Sequence, residues 1–287
     1  MSNFRIYADS ACDLKPELLD KWGVLYSSLT FRFDGENKEY GNNDMTVSEF
    51  YTKMRAGGVA KTSAINSETF KAEFEKILSS GEDILYIGFS SGLSTTYNSA
   101  RIAAEELSGK YPERKIVAVD TLSASAGIAL IIKMIIDKKN SGATIEEAAL
   151  FAEEIKLNLC HWFTVDDLVY LKRGGRISPT VAFVGNMLGI KPVLHMDNDG
   201  HLVNMFKVRG RKTSILALAD KYGELAIDKT GVAYISNADC LSEANELKNT
   251  LVEKYGAKVE IITDVGPVIG AHAGPGTIAL FFVGNNR

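Results

Sequence analysis

The chain has 287 residues, in which 32 lysines and arginines stand against 36 aspartates and glutamates, for a formal net charge of −4. This length accommodates one large α/β domain or two smaller ones, each with its own core. Because the net charge offers no positive field to attract nucleic acid or an anionic membrane, we expect neither as a partner.

The N-terminal segment and the cysteines indicate the cellular compartment. MSNFRIYADSACDL has no basic stretch leading into an apolar core, so no export signal is visible. Cys12, Cys160 and Cys240 are odd in number and far apart, which favours reduced thiols over a disulfide framework. We therefore expect a cytoplasmic protein.

The first half of the chain alternates strand-like and helix-like segments. The strand-like segments are residues 4–9, 24–33, 83–89 and 115–120, and the second of these precedes the turn DGEN and predicts a hairpin. Apolar residues at helical spacing predict helices over 46–57, 67–81 and about 123–139, with others beginning at Pro16 and near Ser94. Strands separated by helices predict a parallel sheet with helices on both faces.

The most apolar segment of the chain is AGIALIIKMIID at residues 126–137. A membrane crossing needs about 20 such residues, and Lys133 lies inside this segment. The pattern predicts a buried helix, and we expect no stable membrane anchor.

The second half has a different character, with hairpins and basic turns. Residues 190–210 predict two strands joined by a turn at Asn198, Asp199 and Gly200, and a helix is expected after Ser178. Helices and strands then alternate to the end of the chain. We expect an N-terminal α/β domain over 1–160 and a C-terminal α/β domain over 161–287 with a mixed sheet that contains a hairpin.

Residues 84–107, ILYIGFSSGLSTTYNSARIAAEEL, contain the pattern G-x-S-x-G between a strand-like run and a helix. An α/β-hydrolase has this pattern at its nucleophile, here Ser90, and Asp264 and His272 follow in the order of that class. No HGGG-like loop precedes the pattern to complete an oxyanion hole. The same letters describe a hydroxyl-rich turn at a helix N-terminus, which holds an anion without attacking it. We favour the anion site and keep a serine esterase as the alternative.

A second hydroxyl-rich segment, TSAINSETF at residues 62–70, also precedes a helix. Ligands of open α/β sheets bind at the carboxyl ends of the strands, where this segment could meet the first. Ser67 and Ser94 are also of a residue type that commonly caps helices, so a purely structural role is the alternative for each segment.

Glycines surround one histidine near the end of the chain. Four glycines flank His272 in GPVIGAHAGPGTIALFF, and this density lets backbone approach a ligand closely. The segment lacks the lysine of a Walker loop, and we find no nucleotide-binding G-x-G-x-x-G pattern. The other histidines lack the spacing of zinc ligands. We therefore expect neither a cofactor nor a metal.

Two basic turns occur in the second half, KRGGRIS at residues 172–178 and KVRGRK at residues 207–212. Arginine suits carboxylate or phosphate, because its planar guanidinium makes paired hydrogen bonds. The turns are consistent with a docking surface for a phosphate-handling partner or with ordinary solvated turns.

Taken in order, these motifs resemble those of the DegV family, the bacterial fatty-acid-binding proteins. The resemblance covers nearly the whole chain and rests on DSACDL, TSAINSETF, SSGLSTTYNSA, VDTLSASAG, LKRGGRIS, LGIKPVLHMDNDGHL, RGRK and GPVIGAHAGPGT. It implies a two-domain α/β fold that holds one long-chain fatty acid between its domains.

The resemblance also implies roles for individual residues. By motif position, the residues expected around the fatty acid carboxylate are Thr62, Ser63, Ser91, Ser94 and His272. The protein is then not itself an enzyme: a separate ATP-dependent fatty acid kinase phosphorylates the bound carboxylate for phospholipid synthesis. Arg173 and Arg209 correspond to positions that face this kinase. A regulatory lipid-binding module without a kinase partner remains a further alternative.

Overall fold

The computed structural model describes residues 4–177 and 189–287. The strands are β1 (Phe4–Asp9), β2 (Leu25–Ser27), β3 (Thr30–Phe33), β4 (Tyr40–Gly41), β5 (Ala60–Ser63), β6 (Asp83–Gly88), β7 (Ile116–Asp120), β8 (Leu159–Thr164), β9 (Ile190–Met196), β10 (Leu202–Arg209), β11 (Val232–Asn237), β12 (Lys258–Asp264) and β13 (Ile278–Val283). The helices are α1 (Pro16–Trp22), α2 (Val47–Arg55), α3 (Ser67–Ser79), α4 (Thr96–Lys110), α5 (Ala126–Asn140), α6 (Ile145–Ile155), α7 (Val169–Arg173), α8 (Arg211–Leu225), α9 (Leu241–Tyr255) and α10 (Pro267–Ala273).

A parallel sheet of order β2-β1-β6-β7 lies at the centre of the N-terminal half. On one side α3 and α4 pack together against β6, and Phe70 and Phe74 of α3 contact the rings of Tyr7 and Tyr86. Helices α5 and α6 also pack on β6. The predicted parallel sheet with helices on both faces is confirmed.

The single strand predicted over residues 24–33 is wrong in part, because this segment divides between two sheets, but the hairpin predicted at DGEN is present. Its first strand, β2, lies parallel to β1, where the Tyr7 hydroxyl and Ser27 Oγ are 2.6 Å apart. The segment then breaks at Leu29, whose N–H donates to Ser10 Oγ at 3.0 Å. Only β3 and β4 form the hairpin around DGEN, and β5 joins them in a small antiparallel sheet.

The C-terminal half contains a mixed sheet of order β10-β9-β8-β13-β11-β12, in which only β11 and β12 are parallel. The predicted hairpin of β9 and β10 is confirmed, with its turn at residues 197–201. Helices α8 and α9 contact each other and pack on this sheet. The helix expected after Ser178 lies outside the described residues.

Helix α5 is the predicted buried helix, and it lies between the two large sheets. It packs against β6 of the parallel sheet and against β11 and β13 of the mixed sheet. It begins at Ala126 rather than 123, because Leu122 and Ser125 adopt positive φ angles of 48° and 54°. Within residues 4–177 and 189–287 no helix has the length and apolar character that a membrane span requires.

We propose a division between two domains near residue 160. Helix α6 ends at Ile155, and β8, the first strand of the mixed sheet, begins at Leu159. The small β4-β3-β5 sheet belongs by sequence to the first half, but Phe31 and Phe50 share a buried cluster with Val265 and Ala271 of the second. The two halves are therefore in extensive contact.

Candidate functional site

A cavity of about 530 Å³ lies between the two halves of the chain. Its volume falls within the range of roughly 300–1,000 Å³ that is typical of small-molecule sites. The wall is mostly apolar and includes Phe89, Phe163, Met196, Val268, Ile269 and Phe281. Such a wall favours an apolar ligand or an apolar part of one.

One part of the wall carries polar groups from both halves of the chain. Thr62 of β5 and His272 of α10 line the cavity, and the Thr62 Oγ1 and His272 Nε2 atoms are 2.8 Å apart. Ser94 and Arg176 also line it. We call Thr62, Ser94, Arg176 and His272 the polar cluster.

Ser94 belongs to the loop between β6 and α4. Its Oγ accepts a hydrogen bond from the Thr96 N–H at 3.2 Å and lies 2.9 Å from Thr96 Oγ1. Ser94 thus lies one residue before Thr95, the N-cap residue of α4, beside the first N–H groups of the helix, which carry partial positive charge. Ser91 and Thr95 of the same loop line the cavity and are exposed, so the loop also faces solvent.

Arg176 is the member of the polar cluster that the sequence analysis missed. Its Nε donates to the Leu93 carbonyl at 3.1 Å, and a second guanidinium nitrogen donates to the Gly174 carbonyl. Burial lowers the pKa of this guanidinium, which nevertheless stays charged because an arginine pKa starts so high. The polar cluster thus contains one half-buried cation.

His272 is held as a neutral imidazole. Burial, and secondarily the positive charge of Arg176, lower its pKa to about 4. Gly174 lies against the ring, and a Cβ at that position would collide with Nδ1. The ring is thereby fixed in place, with Nε2 bonded to the Thr62 hydroxyl as donor or acceptor according to the tautomer.

Ser63, which was expected near the carboxylate, does not line the cavity, and neither do Arg173 and Arg209, which were expected to face a partner. Ser63 follows Thr62 in β5, where successive side chains point to opposite faces, and its exposed hydroxyl bonds to Glu39 instead. Arg173 is exposed at the end of α7, with its guanidinium 5.6 Å from the Tyr170 ring centre. Arg209 is exposed at the end of β10.

The geometry around Ser90 does not support a nucleophile. Ser90 is 0% exposed, and its Oγ donates to the Gly200 carbonyl at 2.9 Å. A Cβ on Gly88 would lie 2.6 Å from Tyr86 Cε1, and one on Gly92 would lie 2.7 Å from the Gly200 oxygen. Both glycines of G-x-S-x-G are thus explained by close packing.

The groups that a hydrolase would need beside Ser90 are engaged elsewhere. The imidazole of His272 bonds to Thr62, and Asp264 accepts a hydrogen bond from Asn237 at 3.3 Å. Within the described ranges no group of three or more His, Cys, Asp or Glu side chains is placed to hold a metal ion. The site therefore consists of hydrogen-bonding groups and one cation around an apolar space.

A second polar position occurs elsewhere on the wall. His161 of β8 lines the cavity, and its Nε2 lies 2.7 Å from Ser123 Oγ. Burial is the main cause that lowers the pKa of His161 well below its ordinary value, so this imidazole is also neutral. The sequence analysis assigned it no role.

A buried hydrogen-bond network joins the two halves next to the cavity. The Asp13 carboxylate accepts from Ser125 Oγ at 2.5 Å and from the Gly266 N–H at 3.0 Å. Ser125 Oγ also lies 2.8 Å from Ser236 Oγ. Burial raises the pKa of Asp13 to about 7, and the negative charge of Asp264 adds to the effect.

These features define an α/β protein with a parallel sheet, a mixed sheet and an internal, mostly apolar cavity between them. The sequence profile of the DegV family, described as uncharacterised proteins, matches residues 3–285. The chain belongs to the DegV family.

Two relatives show the extent of the sequence similarity. A DegV domain-containing protein of Clostridium perfringens is 40% identical over 291 residues, covering 100% of this chain and 99% of the relative. A protein of Thermotoga maritima named as a fatty acid-binding protein is 35% identical over 280 residues, covering 96% of this chain and 95% of the relative.

Solved structures agree with the fold. A DegV lipid-binding protein of Thermotoga maritima superposes with a TM-score of 0.86 at 31% identity, with 100% of both chains covered. A stearic acid-binding protein of Eubacterium ventriosum gives a TM-score of 0.88 at 27% identity, with 98% of both chains covered. Fatty acid binding is thus described for relatives that share this whole fold.

Proposed function

We propose that this protein binds one long-chain fatty acid in the cavity, with the carboxylate at the polar cluster. The observation that carries the proposal is the Thr62–His272 pair, which sets hydrogen-bonding groups on the wall of a mostly apolar space. Relatives from Thermotoga maritima and Eubacterium ventriosum that bind lipids support it.

The apolar cavity wall would supply most of the binding energy, and the polar cluster would orient the ligand. An acyl chain of about 16 carbons gains roughly 10 kcal/mol by burial, at ~0.8 kcal/mol per methylene, before ordering costs. Hydroxyls of Thr62 and Ser94, with Ser91 nearby, would orient the carboxylate by hydrogen bonds. His272 Nε2 would hold the Thr62 hydroxyl in place so that its O–H can donate to the carboxylate, and Arg176 would add a favourable positive potential.

The second part of the proposal is that the protein presents this carboxylate to a separate ATP-dependent fatty acid kinase and is not itself a catalyst. Ser91 and Thr95, near the polar cluster, are exposed, so a carboxylate held there would lie close to solvent. Arg173 and Arg209 are exposed guanidinium groups suited to a phosphate-handling partner. A partner that uses ATP would be found in the cytoplasm. The three cysteines of this chain form no disulfide, which agrees with the same location.

The experiment has two stages. Purified protein is first denatured, and the released small molecules are weighed by mass spectrometry. We expect a long-chain fatty acid in about equimolar amount, and failure to recover or rebind one would overturn the first part. The loaded protein is then mixed with a fatty acid kinase and ATP, and acyl phosphate is trapped with hydroxylamine. Fatty acid without any acyl phosphate would favour the regulatory alternative.

A further inference from the structure

The pair formed by Ser123 and His161 is the second polar position on the cavity wall. The two side chains are 0% and 3% exposed, and the Ser123 Oγ to His161 Nε2 distance is 2.7 Å. The other ring nitrogen, Nδ1, has no partner with good hydrogen-bond geometry among residues 4–177 and 189–287, although the backbone of Leu159 lies close enough to act on the ring. A buried polar atom without a partner is unfavourable, so a ligand group that pairs with it would be bound more tightly.

Close packing fixes the His161 ring. A Cβ on Gly127 would lie 2.8 Å from His161 Nε2 and 2.9 Å from Phe281 Cδ1, so only glycine leaves room here. The Phe281 ring meets the imidazole edge-on, with ring centres 5.5 Å apart. A fixed ring loses little freedom on binding, which favours a specific hydrogen bond.

The charge distribution separates this pair from the polar cluster. His161 is neutral, and Arg287, whose positive charge also lowers the pKa of this imidazole, does not line the cavity, whereas the Arg176 cation of the polar cluster does. A carboxylate therefore gains more beside Arg176, and a neutral oxygen suits His161. A hydroxyl fits either tautomer of the imidazole, because it both donates and accepts.

We propose that the Ser123–His161 pair is a second polar subsite, which binds a hydroxyl group carried on the acyl chain of the ligand. The preferred ligands are then hydroxylated long-chain fatty acids. In the preferred isomer, the separation of hydroxyl and carboxylate along the acyl chain matches the separation of His161 and the polar cluster along the cavity. This inference rests on the proposed fatty acid function.

The test compares octadecanoic acid with its isomeric hydroxy derivatives, which carry the hydroxyl near the carboxylate, at mid-chain or at the methyl end. We expect one isomer to bind roughly fivefold to tenfold more tightly than the other two, the ratio that one buried hydrogen bond supplies. In His161→Phe that preference should disappear while octadecanoic acid still binds. Equal affinities for all three isomers, as expected if water pairs with Nδ1, would overturn the inference.

A matched control is His195→Phe, because His195 is a buried β9 histidine that does not line the cavity. It should retain the isomer preference, and a preference retained in His161→Phe would contradict the subsite. Nitrogen-15 spectra of the four histidines provide a readout in the unaltered protein, since the His161 ring signals should shift only with the preferred isomer. Failure of octadecanoic acid itself to bind would instead refute the proposed function.

Discussion

The Thr62 hydroxyl and the His272 imidazole are in hydrogen-bond contact at 2.8 Å, although 210 residues separate them in the chain. Thr62 comes from the small antiparallel sheet, and His272 from a helix of the C-terminal half. The polar cluster therefore exists only when both halves are folded and packed together.

Removing the hydroxyls of Thr62 and Ser94 should weaken fatty acid binding and leave the fold intact. In the double variant Thr62→Val, Ser94→Ala we expect affinity to fall about tenfold or more for each hydroxyl, because a hydrogen bond to a charged group contributes about 1.5–3 kcal/mol. Titration calorimetry measures the affinity, and circular dichroism checks the fold. Ser63→Ala is the matched control, since Ser63 is exposed and lies off the cavity. Unchanged affinity in the double variant would place the carboxylate elsewhere.

Replacing Arg173 or Arg209 by Ala should reduce acyl-phosphate formation with the kinase and spare lipid binding. Both guanidinium groups are exposed and lie off the cavity wall, so their loss removes no ligand contact. Acyl phosphate and bound lipid are measured on the same samples. Arg101→Ala on α4 provides a control for loss of an exposed arginine outside the two basic turns. Lipid loss in the Arg173 or Arg209 variant would instead assign that residue to the binding site.

Asp13→Asn should remove a pH-dependent destabilisation of the protein. Burial raises the pKa of Asp13 from 3.8 to about 7, so between these values the folded state binds the proton more tightly than the unfolded chain. The free energy of unfolding contributed by Asp13 therefore decreases as pH rises through this window, by a few kcal/mol in total.

Urea unfolding of both proteins at a series of pH values measures this effect. The free energy of unfolding of the wild type minus that of Asp13→Asn isolates the contribution of Asp13. Other buried groups, such as Asp9 and His272, are present in both proteins and cancel. We expect the difference to decline from about pH 4 to about pH 7 and then to level off. A difference that does not vary with pH would show that the pKa of Asp13 is the same in the folded and the unfolded protein.

Ser90→Ala should affect stability and leave ester hydrolysis unchanged. Because Ser90 Oγ is buried and donates to the Gly200 carbonyl, its loss should lower the free energy of unfolding by about 1 kcal/mol. Thermal unfolding and a panel of chromogenic esters test the two statements, with exposed Ser91→Ala as the control. Hydrolysis that is present in the wild type and absent in Ser90→Ala would restore the esterase hypothesis.

Local sequence patterns predicted the periodic elements well. Helices α2 and α3 lie within the predicted ranges, because each buries one apolar face that recurs at helical spacing. The division of residues 24–33 between two sheets was not predictable in this way. It depends on the hydrogen bond from the Leu29 N–H to Ser10, a residue distant in the sequence.

The same limit applies to the site. Arg173 and Arg176 are three residues apart in one basic turn, and only the second reaches the cavity because Gly175, at a φ of 69°, turns the chain between them. His161 lies in an apolar strand, and its partner Ser123 is 38 residues away. Motif matching identifies which residue types are present, whereas long-range packing decides which of them meet.

Helix α5 supplies core side chains to both sheets at once. A polypeptide cut near residue 160 would leave β11 and β13 without this cover, so the released pieces would aggregate instead of folding independently. We therefore expect the two halves, although their sheets are separate, to unfold as one cooperative unit.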